Sequence, residues 1–223
     1  MLRVIQHIYM IPLIVSALIG IKGFRLNWPV PYKIFSLLLI FISVVEISAI
    51  SWKYYFHDLG GWHFSNSNIW LYNISVVPQY LLYMAIYYRI INSPLIKRAI
   101  ITLAILLSSF SIINWIYFQS IYSINSNTLL LASSIMIFLT ITYFDQLRKE
   151  KEILKLTAQP MVWISLGALI YHSANLPYII SLNYLIRSNV SLAVALFYIY
   201  LALNCVMYVC YTIAFLCQPH PPK

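Results

Sequence analysis

Two ionisable side chains stand deep inside apolar runs of this 223-residue chain: Glu46, in VVEIS, and His172, in LIYHSAN. An ionisable group in hydrocarbon costs about 2.5 to 3.5 kcal/mol on insertion scales, so each is a functional-site candidate by default. A carboxylate there can hold a proton, pair with a cation or accept hydrogen bonds from a ligand. The amides Asn73, Gln79, Asn114, Asn175 and Asn204 complete the embedded polar set. Taken singly, amides are better explained as hydrogen-bonding glue between helices, worth about 0.6 to 2 kcal/mol each. Glue does not require an acid, so function ranks ahead for Glu46. Depth along the chain also predicts that Glu46 and His172 pair.

Other chemistries lack their residues. A retinal pigment needs a Schiff-base lysine in a late helix, and the last two apolar runs contain no lysine. Cys205 and Cys210 are five apart and His172 stands alone at its depth, so neither a metal nor another cofactor is expected. Embedded HxxxH, GxSxG or paired aspartates are absent, which disfavours a membrane hydrolase. The three cysteines cluster at the last run and outline no disulfide framework.

The elements that position these residues follow from composition. Hydrophobic residues make up 62% of the chain and charged residues 9%, with a mean hydropathy of +0.82. Soluble domains carry about 25% charge, so this is an integral membrane protein. Seven continuous apolar runs, at 4–21, 34–52, 68–91, 98–118, 126–144, 161–184 and 192–216, predict an all-α, seven-span domain covering 1–223. Arg3 before the first run imitates a signal peptide. No small-x-small cleavage site precedes Lys22 and Arg25, so an uncleaved first helix is expected.

The net charge of +9 is distributed by loop. Lys22, Arg25 and Lys33, then Arg89, Lys97 and Arg98, then Arg148, Lys149, Lys151 and Lys155, with Lys223, fall on one side; Arg3, Lys53 and Arg187 fall on the other. The positive-inside rule then predicts an outside N-terminus and a cytoplasmic C-terminus. With no basic domain to bind it, nucleic acid is excluded as a partner. The segment 145–159 mixes both signs at helical spacing and is expected to extend helix 5 into the cytoplasm, where Arg148, Lys149, Lys151 and Lys155 would face a partner.

At 1.5 Å per residue Glu46 lies about 18 Å from the inner boundary and His172 near the midplane. The embedded polar groups thus run from the midplane outward and leave the inner half nearly all apolar. The expectation is an outward-facing small-ligand pocket lined by Glu46, Asn73, His172 and Asn175 and rimmed by Tyr72, Tyr171, Tyr178 and Tyr200. Gln79 and Asn204 lie near the middle. Pro12, Pro78 and Pro177 are expected to kink their spans. Trp163, Gly167, Tyr171 and Asn175 recur every four residues as a packing stripe of helix 6.

The acid of helix 2 (VVEIS), the aromatic-asparagine pair opening helix 3 (NIWLYN, Tyr72 and Asn73) and the Pro-x-x-Trp start of helix 6 (QPMVWISLGALIY) resemble a group of uncharacterised bacterial seven-helix inner-membrane proteins. Members of that group tend to be encoded beside sensor histidine kinases. The resemblance implies an inner-membrane location and a membrane histidine kinase as partner. It marks Glu46, Tyr72, Asn73, Pro160, Trp163, Gly167 and Tyr171 for test. Pro78-Gln79 is similar to the signature of PQ-loop transporters, without the second Pro-Gln of a repeat. The function expected is therefore a receptor-like or accessory sensor that binds a small ligand of unknown identity, lies in the lipid bilayer and signals through a partner. A small-solute transporter is the alternative, and an intramembrane enzyme the third.

Overall fold

The computed structural model describes residues 7–25, 28–56, 67–149 and 156–217. Seven α-helices are present among them: α1 (Met10–Arg25), α2 (Val30–Ser51), α3 (Ile69–Ile90), α4 (Pro94–Tyr117), α5 (Ser126–Lys149), α6 (Pro160–Ser188) and α7 (Val190–Leu216). A π-helical stretch, Trp52–Phe56, continues α2, and a 3-10 turn, Leu156–Ala158, precedes α6. No strand occurs among the described residues. Pro31, Pro94 and Pro160 occupy first turns, where the missing N–H would be unpaired anyway and the ring presets φ. Asn189 alone separates α6 from α7, its side chain accepting from Leu192 N at 3.0 Å.

Five helices, α2, α3, α4, α5 and α7, are long and apolar enough to cross a membrane. Helix α1 has only 16 residues, and the 29-residue α6 is diluted by His172, Ser173, Asn175 and Pro177. The first predicted run began too early, because residues 7–9 form a turn and α1 starts at Met10. Pro12 therefore falls in the first turn of α1 and deletes no helix hydrogen bond, contrary to the expected kink. Pro78 and Pro177 do lie inside α3 and α6, both exposed on the outside of the bundle.

Helices α1, α2, α3, α5, α6 and α7 form a closed ring in that order, with α7 returning to α1. Helix α4 sits outside and, among the described elements, touches only α3 and α5. Its buried residues, Ile100, Leu107, Ser111 and Asn114, form one helical stripe, and Ile101, Ile105, Ile112, Ile113 and Ile116 face outward. An outer surface of branched aliphatic side chains suits lipid tails. The basic residues Lys22, Lys33, Arg89, Lys97, Arg98, Arg148 and Lys149 gather at one end of the ring, called here the basic end. Helix α5 stops among the described residues at Lys149, and 156–159 is a 3-10 turn and an extended residue rather than the expected α-helix.

The α6–α7 seam is the most extensive contact. It depends on Gly167, where an added Cβ would sit 2.9 Å from Cys210 Cβ and 3.2 Å from the Met207 carbonyl oxygen. At the basic end, Trp163 Nε1 donates to Thr157 O at 2.9 Å and pins the turn that launches α6 at Pro160.

Candidate functional site

Glu46 projects from α2 into a cage of phenols. Tyr9, in the turn before α1, donates its hydroxyl to Glu46 Oε2 at 2.7 Å, and Tyr72 from the first turn of α3 donates to the same oxygen at 2.9 Å. Glu46 Oε1 takes no hydrogen bond from any described residue, and no Lys, Arg or His among them pairs with the carboxylate. Tyr200 and Tyr208 of α7 lie within electrostatic reach. Three helices and a turn thus meet on one acid, and hydroxyl hydrogen bonds to a carboxylate are about twice as strong as neutral ones.

His172 lies elsewhere, and the expected pair with Glu46 does not form. Its Nδ1 meets Ser133 Oγ of α5 at 3.2 Å, while the buried Nε2 has no hydrogen-bond partner. The imidazole is walled by the rings of Tyr171, Tyr80 and Tyr83, with centroids 5.0, 5.6 and 6.5 Å away. Similar depth on α2 and α6 is not proximity, because these helices sit on opposite parts of the ring. Asn175, one turn on, shares Ser133 Oγ at 3.5 Å.

Asn73 also leaves the predicted pocket. One residue along a helix turns the side chain about 100°, so Tyr72 faces Glu46 while Asn73 faces the α4–α5 loop. Asn73 Nδ2 donates to Ile121 O at 2.6 Å and Ser123 O at 2.8 Å. The same loop carries a knot of amides: Asn114 Nδ2 donates to Gln119 Oε1 at 3.0 Å and to Asn125 Oδ1, and Asn127 Nδ2 donates to Asn114 Oδ1 at 3.0 Å. Gln119 Nε2 closes the knot on Ser126 Oγ at 2.7 Å. These amides tie α3, α4 and α5 together. Asn204 is buried and bonds back to Tyr200 O of its own helix at 3.2 Å, and Gln79 is half-buried beside the exposed Pro78.

Sequence reasoning missed the tyrosines of the core. Tyr83 and Tyr211 share a hydroxyl hydrogen bond of 2.8 Å, and Tyr87 meets Ser165 at 3.1 Å, all four fully buried toward the basic end. That half of the bundle is therefore not purely apolar, because tyrosine counts as hydrophobic in composition yet carries a hydroxyl that must be paired when buried. The spacing of Tyr80, Tyr83 and Tyr87, one stripe of α3, was the available signal. Tyr171 Oη donates to Tyr200 Oη at 2.9 Å, and Tyr178 stacks on Tyr200 at 5.0 Å. From Tyr178 the rings continue through Tyr200, Tyr171, His172, Tyr80, Tyr83 and Tyr211 to Phe35, Phe215 and Trp28, each touching the next.

Arg148 and Lys149 are exposed and both reach Asp145, at 2.8 and 2.5 Å. Surface pairs of this kind contribute little stability. Lys151 and Lys155 lie outside the described residues. A hollow of about 140 Å³ opens between α6 and α7, walled by Ala174, Pro177, Tyr178, Ser181, Leu196 and Tyr200 among others. A larger groove of about 440 Å³ between α1 and α7, around Pro12, Val15, Cys205 and Val209, is apolar and offers no chemistry. Among the described residues no three His, Cys, Asp or Glu side chains come together as a metal site. Comparison of the chain with family models, curated proteins and solved structures finds no match, so the site is read from its own geometry.

Proposed function

We propose that this protein is a receptor-like or accessory membrane sensor in which the Glu46 cage is the ligand site. All seven helices span the bilayer, α1 and α6 included, because a closed ring cannot leave two of its members in water. The basic end faces the cytoplasm and the N-terminus lies outside, as loop lysines and arginines favour. Glu46 then sits in the outer half, and the site opens outward. In a bacterial inner membrane the output goes to a partner, a membrane histidine kinase by the resemblance described above, through Arg148, Lys149 and the segment that follows.

The observation that carries this reading is a carboxylate held by one tyrosine from the turn before α1 and one from α3, with no cation beside it among the described residues. A ligand engaging it would move α1, α2 and α3 relative to one another, and the ring contacts through Tyr200, Tyr171 and His172 give that movement a packed route toward the basic end. Purification of the tagged chain from native membranes, followed by mass spectrometry of co-purified proteins, tests it. A histidine kinase should co-elute, and Glu46→Gln should abolish its ligand-dependent autophosphorylation. Wild-type output from Glu46→Gln would refute the site.

A small-solute transporter is the second reading. The buried hydroxyls of Tyr83, Tyr87, Ser165 and Tyr211 favour it, since they place polar groups in the half where a transport path would need them. Solute uptake by reconstituted vesicles would decide for it.

A further inference from the structure

We infer that the Glu46 cage takes a small organic cation, an alkylammonium group, as its ligand; this rests on reading the cage as the ligand site. An ionised carboxylate removed from water needs an opposite charge nearby to offset its desolvation. The described residues supply none: Tyr9 and Tyr72 donate from uncharged hydroxyls, both to Oε2, and leave Oε1 without a donor among them. That free oxygen is where an ammonium N–H, or the positive methyl shell of a quaternary ammonium, completes the charge balance.

The walls suit the same chemistry. Tyr9 and Tyr72 reach the carboxylate through their hydroxyls and Tyr200 and Tyr208 lie within electrostatic reach of it, and phenol rings attract weakly hydrated organic cations. A bare metal cation is a poorer match. Hard cations want about six oxygen ligands, and no second acid joins Glu46 among the described residues. Tyr200 also forms a wall of the hollow between α6 and α7, where Tyr178 stacks on it at 5.0 Å beside Ala174, Pro177 and Leu196. The charged group would lie at Glu46 and apolar substituents would point toward this hollow.

The test uses the full chain in lipid nanodiscs, titrated with tetramethylammonium, butyltrimethylammonium and the uncharged isostere 3,3-dimethylbutanol. Binding is read by the thermal midpoint and by saturation-transfer NMR. The ammonium ions should raise the midpoint and the butyl compound should bind more tightly, with the alcohol without effect. Glu46→Gln should weaken ammonium binding about tenfold or more, the loss expected of one charge-assisted contact. Glu46→Asp, which keeps the charge, should retain the preference for ammonium over alcohol, and it serves if the Gln variant does not fold. Equal binding of the alcohol, unchanged binding by Glu46→Gln, or no ammonium binding to wild type would each overturn the inference. Loss of partner output in Glu46→Gln without ammonium binding overturns the ligand class alone. Retained output in that variant refutes the sensor site whatever binds.

Discussion

Two polar clusters of this bundle do opposite things with similar means. The knot at the α4–α5 loop is built from neutral amides, and its hydrogen bonds run between neighbouring helix ends, from Asn114 to Gln119, Asn125 and Asn127 and from Asn73 to two loop carbonyls. The Glu46 cage is built around a charge-bearing group, draws on Tyr9 and Tyr72 from distant parts of the chain, and leaves one acceptor oxygen without a donor among the described residues. The first cluster spends its hydrogen bonds on holding helices. Each leaves one polar atom unpaired among the described residues, Asn125 Nδ2 in the knot and Glu46 Oε1 in the cage, but only the second is the oxygen of a half-buried acid, which can take a charged ligand.

The contrast breaks most directly at Asn114. It is fully buried, and Asn114→Leu removes the partners of Gln119, Asn125 and Asn127 together. The expected loss is about 3 kcal/mol of unfolding free energy, since each stranded group costs about 1 to 3 kcal/mol and the loop can recover some of it. Unfolding by steric trapping in bicelles measures this directly. A loss below about 0.5 kcal/mol would mean that the knot does not hold the α3–α5 corner. Next in size is Gly167→Ala at the α6–α7 seam. Its Cβ meets Cys210 Cβ at 2.9 Å and the Met207 carbonyl oxygen at 3.2 Å, and backbone cannot swing aside as a side chain can. Overpacking of this kind costs about 1 to 3 kcal/mol, readable as a lower thermal midpoint with the fold retained.

The difference between the clusters also explains what the sequence made legible. Continuous apolar runs sufficed to place the helices, and the fourfold stripe through Gly167 marked the close seam, because both are local periodicities. Glu46 stood out through its cost in hydrocarbon. Its partners did not: Tyr9 is 37 residues away and Tyr72 is 26, and no spacing rule relates positions that meet only through tertiary packing. Asn73 was misplaced because depth along a helix says nothing about azimuth, and one residue of rotation carried it from the cage to the knot. The tyrosines of the core were hidden by their double character, apolar by volume and polar at the tip. Within helix 5's expected extension, 150–155, with Lys151 and Lys155, lies outside the described residues.

A smaller effect sharpens the comparison from the cage side. Glu46→Gln keeps the shape and still accepts from Tyr9 and Tyr72, while relieving the burial of an acid, so stability should change by less than about 1 kcal/mol in either direction. A cluster that contributes little to stability while ligand response depends on it is a functional one. If Glu46→Gln instead destabilises as strongly as Asn114→Leu, the cage is a fastener after all.

His172 gives the smallest expected effect and the finest distinction. Its only hydrogen bond is the 3.2 Å contact with Ser133, and its other nitrogen has no partner, so the buried imidazole gains little from being polar. Removing one partner strands the other, whereas replacing both by apolar groups of similar shape can be nearly neutral. Asn175 Nδ2 also points at Ser133 Oγ, but at 3.5 Å that contact is weak and its loss adds little. The Ser133 side chain also interacts with the buried Tyr80 hydroxyl, so the triple variant Tyr80→Phe/Ser133→Ala/His172→Phe, which removes all three polar partners, should stay within about 0.5 kcal/mol of wild type and keep the ring contacts among positions 80, 83, 171 and 172. Partner output should survive as well if the imidazole serves only as a ring in the stack. Intact stability with lost output would instead assign the free nitrogen of His172 to the signalling path and extend the functional region from the cage into the middle of the bundle.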